Sequence, residues 1–241
     1  MSADPHDQTR GETAPQFAGN EHAPLSCNEA AALCTKAARG VGMSWGMAEE
    51  AGFAAAWLVS HGIDGPTQLR SHLEQAEGLD WEDLCPAVTP GAWQNAKGQA
   101  ACPIILGATL CDYADLPEGP APESALSLGP VNAPILLVPF LSELGRRNDL
   151  SFVLCWDGGQ LRIDGAEKWL DAAADALSVS QLSLTLGVEK APCHQPCPTT
   201  SPNAQTTAAT VAVLNKFAMR TTVPATEASR AGAGSNLSDN D

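Results

Sequence analysis

Two adjacent glutamates, Glu49 and Glu50, stand in the otherwise apolar stretch WGMAEEAGFAAAWLVS. Between Trp45 and Val59 they are the only charged residues. Neighbours on a helix point about 100° apart, so the pair does not fit one narrow solvent stripe, and one carboxylate is expected at or near a buried face. A carboxylate held there needs hydrogen bonds or a cation, or it takes up a proton. Gly52, Phe53 and Ala54 occupy the positions three and four residues on, so no cation comes from the same helix. Arg39 is the nearest in sequence. Glu49 and Glu50 are thus candidate catalytic carboxylates, one of them able to exchange a proton in a cleft. A solvated helix start, whose acids complement the helix dipole, is the plainer explanation of the same residues.

A second group lies in the C-terminal stretch RTTVPATEASRAGAGSNLSDND. It carries Arg220 and Arg230, two of only 13 basic residues. Glu227 and Arg230 stand at helical i, i+3 spacing. Gly232 and Gly234, in GAG, let backbone amides approach an anion closely. A disordered tail would explain the same composition. The chain carries a formal charge of -15, so an anion would be held only where scarce arginines are gathered. Arg39, Trp45, Arg220, Glu227, Arg230, Gly232 and Gly234 form the candidate ligand-binding set. The three arginines are expected to converge near Glu49 or Glu50 and Glu227. The expected ligand is a small anionic metabolite such as a carboxylate. A non-catalytic accessory role beside a metabolic enzyme is the alternative.

Other chemistry finds little support. No basic run exceeds Arg146-Arg147, which speaks against nucleic acid and against an anionic membrane surface. No apolar h-region opens the chain and no apolar stretch in its N-terminal half would span a bilayer, so a cytoplasmic protein is expected. The eight cysteines then read as thiols, several of them small hydrophobes inside apolar runs. Cys193 and Cys197, in CHQPC, offer three metal ligands at most with the histidine between them, so no metal is expected. No HExxH occurs, no GxGxxG follows a strand, and no cofactor is expected. His61 reads as a helix C-terminal residue and His72 as a surface residue.

These side chains need elements to hold them. Residues 1–24 read as a disordered tail, followed by a single domain over residues 25–241. Within it residues 25–100 are helical, 101–190 form a sheet, and 203–241 hold a final helix and the C-terminal motif. Ser26 with Glu29 forms a capping box for a helix ending at Gly40. Ser44 caps a second helix ending near His61, and Pro66 opens a third ending at Gly78. WEDLCPAVTPGAWQNAKG reads as two short helices around a loop. CPIILGATLCDYA and APILLVPFLSEL read as buried strands. SFVLCWDGGQLRIDG reads as a hairpin with Asp157-Gly158-Gly159 at its tip, and QLSLTLGVEK as a half-buried strand. The expected fold is α+β: an N-terminal helical layer on a mostly antiparallel sheet, with a C-terminal helix and tail. Abundant alanine and glycine, with only 5% aromatics, predict close backbone packing.

KAARGVGMSWGMAEEAGFAAAWL, preceded by SCNEAAALC, resembles the opening of an uncharacterised bacterial family, a domain of unknown function. The stretch from Arg220 to Asp241 resembles that family's close, with Thr222 standing where the family carries an aromatic residue. The resemblance implies no activity and lends no catalytic residue. The rhythm of NEAAALCTKAARGVGMSWGMAEEAGFAAAWLVSHGI is also similar to the N-terminal helices of malate/L-lactate dehydrogenases. That likeness would imply NAD(P) binding on an α/β fold.

Overall fold

Ser26 begins the ordered helical layer as its sequence requires. Its hydroxyl accepts the Glu29 amide at 3.2 Å, and the Glu29 carboxylate accepts the Ser26 amide at 2.9 Å. The computed structural model describes residues 22–164, 169–190 and 205–221. The helices are α1 (Cys27–Gly40), α2 (Trp45–Ser60), α3 (Gly65–Ala76), α4 (Pro103–Asp112), α5 (Val138–Asn148), α6 (Trp169–Leu177) and α7 (Ala208–Ala218). The strands are β1 (Pro86–Thr89), β2 (Ala92–Asn95), β3 (Ala125–Asn132), β4 (Ser151–Trp156), β5 (Gly159–Ile163) and β6 (Gln181–Glu189). They form one sheet in the order β1-β2-β3-β6-β4-β5. Among the described strands only the β2–β3 pair is parallel, and its crossover carries α4. The fold is α+β, as expected.

Small residues let the N-terminal helices meet closely. Ala30, Cys34, Ala37 and Ala38 of α1 are buried, as are Ala48, Ala51, Gly52, Ala54 and Ala55 of α2. A Cβ on Gly52 would lie 2.2 Å from Thr35 Oγ1, and one on Gly40 would lie 1.8 Å from the carbonyl oxygen of Phe217 in α7. The sheet alternates: Leu184, Leu186 and Val188 of β6 point into the core while Ser183 and Thr185 stay exposed. Leu126, Leu128, Phe152, Leu154, Leu161 and Ile163 complete the buried face. An antiparallel sheet covered on one side needs this pattern.

Several sequence expectations are corrected. CPIILGATLCDYA is not a strand: it holds α4, with Pro103 in its first turn. APILLVPFLSEL is likewise a 3-10 turn, Pro134–Leu137, leading into α5. Uninterrupted apolar runs carry no period, so burial on several faces looks alike for helix and strand. WEDLC does form a 3-10 turn, Trp81–Leu84, but the following residues make the β1–β2 hairpin rather than a second helix. Residues 22–24 belong with the fold: Ala23 N–H donates to the Thr206 carbonyl at 2.8 Å, and His22 bridges Thr207. His72 is fully buried, not on the surface. No helix among the described residues is long and apolar enough to cross a membrane.

Candidate functional site

Glu49, Phe53 and Trp57 recur every four residues along α2, with Glu50 beside them, so all four edge one side of the helix. Facing them are Ala108, Cys111 and Asp112 from the last turns of α4, and Phe140, Glu143 and Arg147 from successive turns of α5. Together they line a cleft of about 570 Å³. Gly107 makes the α4–α5 approach possible, because a Cβ there would sit 2.3 Å from the Phe140 ring.

The lining combines aromatic rings with charged groups. The Phe53 and Phe140 rings meet edge to face, with centroids 5.7 Å apart. Trp57 stacks on His61 at 3.9 Å. Around them stand the carboxylates of Glu49, Glu50, Asp112 and Glu143 against one guanidinium, Arg147. Glu143 Oε1 accepts Arg146 Nη2 at 2.6 Å and Arg147 Nε at 2.7 Å, so Arg147 is held by an acid of its own helix. These partners, the Arg146 hydrogen bond foremost, hold the Glu143 carboxyl below its ordinary range. Glu50 behaves in the opposite way. Its half-buried carboxyl is pushed up by burial first, then by Asp112 and Glu49, with Arg147 opposing. Burial, reinforced by Glu50, raises the Cys111 thiol to about 11, which leaves it a neutral wall residue.

Arg39 and Arg220 do not stand beside the two glutamates in this cleft. Arg39 donates to the Met43 carbonyl and lies 4.8 Å over the ring of Trp45, which is 68% exposed. Arg220 pairs with Glu77 at 2.5 Å and lies over the Phe217 ring. Neither arginine lines the cleft, and neither does Trp45. Glu227, Arg230, Gly232 and Gly234 lie outside the described residues, as do Cys193 and Cys197. No group of three or more His, Cys, Asp or Glu side chains among the described residues could hold a metal. Sequence reasoning singled out Glu49 and Glu50, which line this cleft, but not Asp112, Phe140, Glu143 and Arg147. The available signal was SELGRRN, where Glu143 precedes Arg146 and Arg147 by three and four residues.

Residues 25–102 match the model of a family described as a protein of unknown function, DUF3726. The match spans α1 through β2 and ends at Cys102, just before α4, and it includes both cleft glutamates of α2. It carries the N-terminal part of the resemblance read from the sequence; the C-terminal motif lies beyond it. No curated protein and no solved structure matches the chain. The likeness to malate/L-lactate dehydrogenases is not supported.

Proposed function

We propose that this chain binds a small metabolite in the α2–α4–α5 cleft, and that the ligand is an organic amine with an apolar or aromatic body. The observation that carries this reading is the lining: four carboxylates and one already paired arginine beside aromatic rings. A carboxylate ligand would meet that lining with like charge, whereas an ammonium gains from the carboxylates and from nearby ring faces. The volume lies within the roughly 300–1,000 Å³ usual for small-molecule sites. The amine replaces the anion expected from the sequence because Arg39 and Arg220 are engaged elsewhere.

Glu50 is the residue assigned to meet the ammonium group. A cation beside it would favour its ionised form and offset the burial that now disfavours it. Isosteric pairs test the reading, such as 2-phenylethylamine against 3-phenylpropanoate, followed by thermal shift and calorimetry. The amine should raise the melting temperature and the carboxylate should not. Glu50→Gln should weaken amine binding about tenfold, equivalent to about 1.4 kcal/mol. A melting shift produced by the carboxylate alone would reverse the assigned ligand charge.

A further inference from the structure

The opposite end of α4 holds a thiol–imidazole contact that the cleft does not use. Cys102 is the N-cap of α4 and is fully buried, with its Sγ 3.1 Å from His72 Nε2. His72 is also fully buried, and its Nδ1 has no hydrogen-bond partner among the described residues. The imidazole meets the Trp81 ring edge to face at 5.9 Å, and the Trp81 carbonyl accepts the Cys85 thiol at 3.4 Å. Both thiols therefore flank one Trp81–His72 layer.

The backbone brings the two cysteines close together. Cys102 N–H donates to the Leu84 carbonyl at 3.0 Å. The Leu84 oxygen and the Cys85 Cα lie on the same side of a trans peptide, so this bond caps the Cα separation of the two cysteines at about 7 Å. Disulfides usually span roughly 4.4–6.8 Å between Cα atoms. Their accessibility differs. Cys85 is partly exposed and, with Met43, Met47, Trp81 and Ile105, lines a pocket of about 190 Å³; Cys102 is sealed.

We propose that Cys85 and Cys102 form a reversible dithiol–disulfide pair, with Cys85 meeting hydrogen peroxide through the small pocket and His72 orienting the Cys102 thiol. In the first step Cys85 sulfur attacks the peroxide, the O–O bond breaks, and water leaves with the thiol proton, giving a sulfenic acid. In the second, the Cys102 sulfur, oriented by the contact with His72 Nε2, displaces hydroxide from Cys85, forming the S–S bond. The hydroxide takes the Cys102 thiol proton and leaves as water. Two thiols and one peroxide thus yield one disulfide and two waters. A dithiol reductant reverses the change by exchange. The bond would tie the base of the β1–β2 hairpin to the start of α4 and pin Trp81 between them.

Burial raises both thiols, Cys102 to about 12, so the reaction should be slower than at an exposed low-pKa cysteine. The test treats the full-length chain with equimolar hydrogen peroxide, alkylates the remaining thiols and maps the peptides without reduction. The expected product is a Cys85–Cys102 linked peptide, about 2 Da lighter than its reduced parts and separated by dithiothreitol. Cys102→Ser should leave Cys85 as a sulfenic acid that dimedone traps. His72→Asn should leave the rate of Cys85 oxidation unchanged yet slow linkage on the order of tenfold. A wild-type map in which Cys85 and Cys102 are separately alkylated while other cysteines oxidise would overturn the pair, whether or not the variants fold. An unchanged linkage rate in His72→Asn would remove the histidine from the mechanism.

Discussion

Single residues show where burial decides the chemistry. His72 reads as a surface residue because it stands among Arg70, Ser71, Glu74 and Gln75, yet α3 turns it inward beneath Trp81. Burial lowers its pKa from 6.5 to about 4. Above pH 6.5 the ring is neutral in both the folded and unfolded chains and contributes no pH dependence. Between pH 6.5 and 4 the unfolded chain takes up a proton that the folded one refuses, so stability falls as pH falls. The loss attributable to this ring totals about 3 kcal/mol and levels off below pH 4. His72→Leu, which cannot titrate, should therefore lose about 3 kcal/mol less than the wild type between pH 7 and 4 in urea-unfolding curves. Parallel curves for the two proteins would contradict a buried neutral imidazole. Glu50 works with the reverse sign. Its raised carboxyl stabilises the fold increasingly as pH drops toward the carboxylate range, and its ionised form costs stability above that range.

At the scale of elements, the legible parts were those with punctuation. Ser26, Ser44 and Asp157-Gly158-Gly159 carry local chemistry that sets a cap or a turn wherever the segment folds. The elements α4 and α5 carry almost none, and both were read as strands. That error hid the site, because Asp112, Phe140, Glu143 and Arg147 reach Glu50 only when their segments are helical. The proposed amine departs from the anion expected from the sequence for a related reason. Arg39 and Arg220 take local partners, Met43 and Trp45 or Glu77 and Phe217, and spacing alone did not reveal them. The packing of small residues was legible from composition and has a measurable consequence. Gly40 lets α7 approach α1 until a Cβ would strike the Phe217 carbonyl at 1.8 Å. The obstacle is backbone, so Gly40→Ala must push the two helices apart and should cost about 3 kcal/mol. Gly46→Ala, on the same layer but with nothing within 4 Å of its Cβ, should be neutral or stabilising. Equal losses in the two variants would mean that helix spacing is not what Gly40 protects.

At the scale of the whole molecule, a formal charge of -15 acts on stability and on binding in opposite directions. The excess acids repel one another across the surface, and that repulsion opposes the compact state. The cleft places four carboxylates against one arginine, so the same field that strains the fold would draw the proposed amine inward. Salt separates the two effects. Raising ionic strength from about 0.01 M to 0.15 M shortens the screening length from roughly 30 Å to 8 Å. The melting temperature of the free chain should rise across that range as self-repulsion is screened. Affinity for 2-phenylethylamine should fall severalfold over the same range, because attraction from the cleft carboxylates and from the more distant acids is screened as well. Calorimetry and thermal melts on one salt series read both quantities. A ligand bound by its apolar body alone would show affinity independent of salt, and one bound as an anion would bind more tightly as salt rises. The slope of affinity against salt therefore gives the sign of the ligand charge without any mutation in the cleft.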